Sequence, residues 1–134
     1  MKWITALNLE SWANTIIARP NFPALIADLI RASAPHISSI RFPNGDKGQV
    51  RDFDGVLDAL GVPPYVPDGE SIWEFGVSTD PLKKAETDFS KRTNEITKEE
   101  RLRKTFVFIS PRSWDNPKLK LDDWLKTKRD LKEW

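Results

Sequence analysis

Apolar positions recur at helical spacing at the start of the chain and at alternate positions in its middle. In "NLESWANTIIA", residues 8 to 18, Leu9, Trp12, Ala13, Ile16 and Ile17 fall on one face. This spacing predicts a helix with Asn8 as N-cap, ended by Arg19 and Pro20. In "NFPALIADLIRASA" the stripe is Phe22, Leu25, Ile26, Leu29 and Ile30, with Asn21 as cap and Pro23 in the first turn, so a second helix is expected up to Pro35. The period then shortens to two. "HISSIRF" is β-branched and bounded by Pro35 and the turn "PNGDKG", which predicts a strand. "DFDGVLDA" puts Phe53, Gly55, Leu57 and Ala59 on one face and Asp52, Asp54, Val56 and Asp58 on the other. After the proline-rich connection "GVPPYVPDGE" and its Asp68-Gly69 turn, "SIWEFGVS" reads as a third strand.

Helical spacing returns in "DPLKKAETDFSKRT", with Asp80 as cap and Pro81 in the first position. "KEERLRK" is a polar approach, helical or irregular, to the strand "TFVFIS". "LDDWLKTKRDLKEW" closes the chain as an amphipathic helix with Leu121, Trp124, Leu125 and Leu131 inward. The predicted order is ααβββαβα, an α/β domain with a central mixed β-sheet flanked by helices.

The 134 residues have the length of one domain, 1–134, with no internal repeat. Trp134 ends a helical run without a glycine or proline stop, so the chain is expected to be the N-terminal fragment of a longer polypeptide. At 39% hydrophobic and 31% charged residues it is too apolar for a disordered tail. A formal net charge of +1 supplies no global field for nucleic acid or membrane, so a binding surface must come from local clustering. The absence of cysteine excludes disulfides, zinc fingers and thiol catalysis and sets a cytoplasmic expectation. Glu10 and Asp28 interrupt the first thirty residues, which predicts neither signal peptide nor membrane span.

The candidate chemistry lies in the middle strands, where Asp54 and Glu74 interrupt stretches otherwise suited to a core. Strand alternation places Glu74 with Ile72, Gly76 and Ser78, opposite the apolar face of Trp73, Phe75 and Val77. Gly76 leaves open space beside the carboxylate. Two carboxylates from adjacent strands can hold Mg²⁺, which takes oxygen ligands in octahedral geometry, activates water and neutralises phosphate charge. Structural readings stand beside this one. Asp54-Gly55 is a common turn dipeptide, and Glu74 could be satisfied by an ion pair with Arg41 or Lys91. "PNGDKG" lacks phosphate-loop spacing and reads as a surface turn. His36, the only histidine, reads as structural or exposed, and Ser110, Ser113 and Asp115 form no nucleophile elbow.

"RFPNGDKGQVRDFDG", "SIWEFGVSTDPLKKAETDFSKRT" and "TFVFISPRSW" together resemble the PD-(D/E)xK, or restriction endonuclease-like, superfamily over roughly residues 37 to 114. More narrowly, the chain is similar to the N-terminal nuclease-type domains that precede ATPase or sensor modules in bacterial anti-phage defence proteins. The resemblance implies a metal-dependent DNA endonuclease with Mg²⁺ or Mn²⁺ on Asp54 and Glu74, its shell completed by Glu10 or Asp28. The family's lysine would fall at position 76, where this chain has Gly76. Either Lys84 or Lys91 on the following helix replaces it, or hydrolysis has been lost. Arg41, Lys47, Arg51, Lys91 and Arg92 would then track a DNA backbone by charge. A two-fold dimer would suit the cutting of two strands. The alternative is a catalytically inactive adaptor of the same fold that binds a partner protein or nucleic acid through its tryptophan-rich C-terminal helix.

Overall fold

A computed structural model describes residues 3–43 and 53–134. The elements are α1 (Ala6–Ala13), α2 (Ala18–Ser33), β1 (Ile37–Arg41), β2 (Gly55–Ala59), β3 (Gly69–Phe75), α3 (Pro81–Glu95), α4 (Lys98–Arg101), β4 (Thr105–Ile109) and α5 (Leu121–Leu131). The short α4 falls on "KEER", where the sequence left helix and irregular structure open. The turn "PNGDKG", apart from Pro43, and the residues Lys47, Arg51 and Asp52 lie outside the described residues.

The four strands form one mixed sheet in the order β1-β2-β3-β4. β1, β2 and β3 are successively antiparallel, and β4 joins β3 in parallel. A parallel neighbour requires a crossover, because the chain must return to the starting end of the sheet, and α3 with α4 makes it. Side chains alternate across the sheet and so divide the core in two. Phe22, Ile26 and Ile30 of α2 pack on Leu57, Ala59 and Trp73 on one face. On the other, Ala85 and Phe89 of α3 meet Trp124 of α5, with Phe106 and Phe108 of β4 beneath them.

The helix boundaries depart from the sequence reading at the N-terminus. Thr5, not Asn8, caps α1: its side chain accepts from the Asn8 N–H while the Asn8 side chain accepts from the Thr5 N–H. This capping box starts the helix earlier than its apolar stripe suggests. α1 ends at Ala13, and Ile16 is left 94% exposed instead of buried. Arg19 and Pro20 open α2 rather than closing α1, since a proline in the first turn removes an N–H that has no partner within the helix. Leu25 and Leu29 are partly exposed on α2. In α5 Trp124 is buried, but Leu121 and Leu131 are exposed, so the inward stripe is narrower than expected. No helix among the described residues is long and apolar enough to cross a membrane.

Candidate active site

β2 stops short of the length its sequence pattern suggests, and that interruption builds the site. The last registered pair is Gly55 with Trp73. A Cβ on Gly55 would lie 2.5 Å from the Phe42 ring, so the glycine is needed for Phe42 to pack across the strand end against Trp73 and Phe75. The chain then bends at Asp54, and Phe53 joins Ile72 and Ile96 instead of following Leu57 and Ala59 to the opposite face. Asp54 is therefore at a bend that leads into a strand, not within a hairpin turn. Its Oδ2 accepts from the Phe75 N–H at 3.0 Å, satisfying a strand amide.

Glu74, facing α3 from β3, is 1% exposed. Its carboxyl lies against that of Asp54 and accepts from Arg92 Nε. The structural partner is thus Arg92, and neither Arg41 nor Lys91. Burial pushes the Glu74 carboxyl up to about 8. Its hydrogen bond from Arg92 opposes the rise, while the Asp54 charge and a hydrogen bond between the two carboxyl groups add to it. A carboxyl group held out of water beside a second carboxylate ionises only at a cost, so Glu74 keeps its proton below about 8. Arg92 reaches Glu95 as well, at 2.7 Å. Burial would lower the Arg92 pKa, but Glu74 and Glu95 outweigh it and keep the guanidinium charged.

Arg92 is buried at 2% exposure and so is not presented to a DNA backbone. The reason is its place on α3, where Ala85, Asp88, Phe89 and Arg92 form the sheet-facing stripe. Arg41 is exposed on edge strand β1. Lys91 points to solvent and makes a 4.0 Å ion pair with Glu95.

Lys84 occupies the space left by Gly76. A Cβ on Gly76 would fall 2.9 Å from Lys84 Cγ and 2.8 Å from Phe108 Cζ, so the lysine stem crosses the strand where a side chain at position 76 would stand. The Lys84 ammonium donates to Asp88 Oδ1 at 2.7 Å. Asp88 Oδ2 is buried and has no hydrogen-bond partner among the described residues.

The helices that were to complete the shell are engaged elsewhere. Glu10 accepts from the Ser113 N–H and pairs with Arg112 at 3.4 Å. Asp28 is exposed on the outer side of α2 with Arg31. Arg112, which the sequence did not single out, donates to Val77 O at 2.6 Å, Ala13 O at 3.2 Å and Asn14 Oδ1 at 2.9 Å. It ties the end of α1, about a hundred residues away in sequence, to the segment just after β3 by contacts that no local pattern could announce. His36 is exposed.

Among the described residues no group of three His, Asp or Glu side chains is placed to hold a metal ion. The donor set at the strand ends is instead an oxygen pair from Asp54 and Glu74. Such a pair suits Mg²⁺ or Mn²⁺, which bind through one or two carboxylates and take their other ligands from water and substrate phosphate. No family model matches the chain, and no curated protein or solved structure matches it.

Proposed function

We propose that this chain is a metal-dependent DNA endonuclease module of restriction endonuclease-like type, the effector of a bacterial anti-phage defence protein whose further domains are an ATPase or sensor. The observation that carries this reading is the contact between the Asp54 and Glu74 carboxyl groups at the end of adjacent strands. The stem of Lys84 across Gly76 supports it further.

Asp54 and Glu74 would hold the ion, which supplies an activated water and neutralises charge on the phosphate. For that, Glu74 gives up its proton and part of its contact with Arg92. Asp54 stays aligned by the Phe75 N–H. Lys84, whose stem crosses the strand at Gly76, would offset the negative charge that develops on phosphate oxygens without adding a side chain to β3 itself. Exposed Arg41 and Lys91 remain available to backbone phosphates, the former from β1 and the latter from α3. A homodimer would bring two such sites to two strands.

One observation favours the inactive adaptor: Arg92 already pairs with Glu74 in a buried contact, which suffices to explain the carboxyl group as part of the fold. Of the C-terminal tryptophans, Trp124 is not available to that adaptor's partner, being buried at 6% exposure against Phe89 and Trp114. Plasmid cleavage in Mg²⁺ or Mn²⁺ separates the two readings. Loss of cleavage in both Asp54→Ala and Glu74→Ala is expected, and equal activity in wild type and both variants would sink the metal assignment.

A further inference from the structure

The buried oxygen Asp88 Oδ2 is without a hydrogen-bond partner among the described residues, although Asp88 is only 5% exposed. An unpaired buried carboxylate oxygen costs about 1–3 kcal/mol or more, and a fold retains one where water, an ion or chemistry uses it. Its surroundings indicate the use. On α3 Asp88 stands one turn from Lys84 and one turn from Arg92, on the same face. Lys84 lies over Gly76 and Arg92 over Glu74, and these strand positions are themselves neighbours on one face of the sheet. Asp88 is therefore flanked by the two residues that reach the strand end carrying the carboxyl pair. It does not join that pair as a third ligand, since no three such groups are placed to share an ion. A carboxylate set back from a cation pair, with one oxygen committed and the other buried and unpaired among the described residues, is suited to holding water.

We propose that Asp88 Oδ2 accepts a proton from the attacking water in phosphodiester hydrolysis, with Lys84 fixing the carboxylate through Oδ1. The water oxygen forms the new bond to phosphorus and its proton passes to Asp88. The bond from phosphorus to the leaving sugar oxygen breaks, and that oxygen takes a proton from solvent. Asp88 then returns its proton to solvent, so water and phosphodiester give a phosphomonoester and an alcohol. The roles of Lys84 and Asp88 are thereby separate from metal binding. This assignment rests on the nuclease reading, and its test distinguishes the two.

Asp88→Asn preserves shape but cannot accept the proton. Its expected effect is a fall in plasmid cleavage of about 100-fold, the scale of a general base, with Mn²⁺ affinity by calorimetry unchanged. Asp88→Ala is expected to regain cleavage by about tenfold or more on addition of formate, a small carboxylate that a structural role would not respond to. Full cleavage by Asp88→Asn, or no formate response in a folded Asp88→Ala, overturns the assignment and leaves the nuclease reading intact. Loss of Mn²⁺ binding in Asp88→Asn also overturns it, by making Asp88 a ligand. Unfolding of both variants at assay temperature overturns it in favour of a purely structural oxygen. A wild-type chain that neither binds Mn²⁺ nor cleaves overturns both readings.

Discussion

Raising the pH from 5 to 9 should destabilise this fold through one residue, Glu74. In the unfolded chain its carboxyl ionises near 4.5, whereas in the folded protein burial and the Asp54 carboxylate push it up to about 8. Between those values the folded state binds a proton that the unfolded state has released. Stability therefore falls as pH rises through this window, the opposite of a salt-bridged carboxylate whose pKa is depressed. Each pH unit inside the window is worth at most about 1.4 kcal/mol. The gap between 4.5 and about 8, which already includes the opposing Arg92 interaction, sets a ceiling of roughly 5 kcal/mol. That remains a large share of a typical domain's stability of about 5–15 kcal/mol. Urea unfolding followed by tryptophan fluorescence at pH 5, 6, 7, 8 and 9 measures it, with Glu74→Gln as the reference that cannot release a proton. The wild type should lose stability relative to Glu74→Gln as pH rises, and the difference should level off above about 8. Parallel curves for the two proteins would show that Glu74 titrates alike in both states and would refute the buried carboxyl pair.

Arg92→Leu should destabilise the protein by about 3–5 kcal/mol where Glu74 is charged and by less at pH 6, where Glu74 keeps its proton, a contrast visible in the same unfolding series. Gly76→Ala should destabilise by about 1–3 kcal/mol, because its methyl would meet Lys84 Cγ and Phe108 Cζ; a Gly76→Ala, Lys84→Ala double variant should recover part of the loss in thermal melts. Mn²⁺ affinity, measured by calorimetry in two buffers of different ionisation enthalpy, should rise with pH up to about 8 and release close to one proton per ion, while Glu74→Gln should show no such release. At the other end of the scale, Glu86 is held below the ordinary carboxylate range. Burial would raise it, but hydrogen bonds from Lys128 and Trp124 together prevail. Its contribution is present above pH 4.5 and is lost as pH falls through its depressed value, and Glu86→Gln should remove that acid-side loss.

The strands were legible because alternation carries over a few residues at a time. Glu74 could be placed on the same face as Ile72 and Gly76 from spacing alone, and Asp80 with Pro81 marked the start of α3 by local backbone chemistry. The same reasoning misjudged Phe53. It extrapolated the period of Leu57 and Ala59 across a bend that exists because Phe42 packs on Gly55. Ile16 was misjudged likewise: helical spacing continued past Asn14, where the chain turns from α1 into α2. Arg92 looked like one more surface cation in a basic run, and only its position on the inner stripe of α3 made it a buried partner.

By itself the sequence determined an α/β chain with four strands, a helix between the last two, and acidic residues within the middle strands. Those properties follow from periodicity, caps and turns, which act within one or two turns of chain. Only the tertiary structure decided that Glu74 is buried against Asp54 and paired with Arg92, and that Lys84 fills the space above Gly76 while Asp88 keeps one buried oxygen unpaired among the described residues. Each of those contacts joins α3 to the sheet or one strand to the next. Their partners are set by how the crossover docks, which depends on the packing of Ala85, Phe89, Phe106 and Trp124 rather than on the residues that make the site.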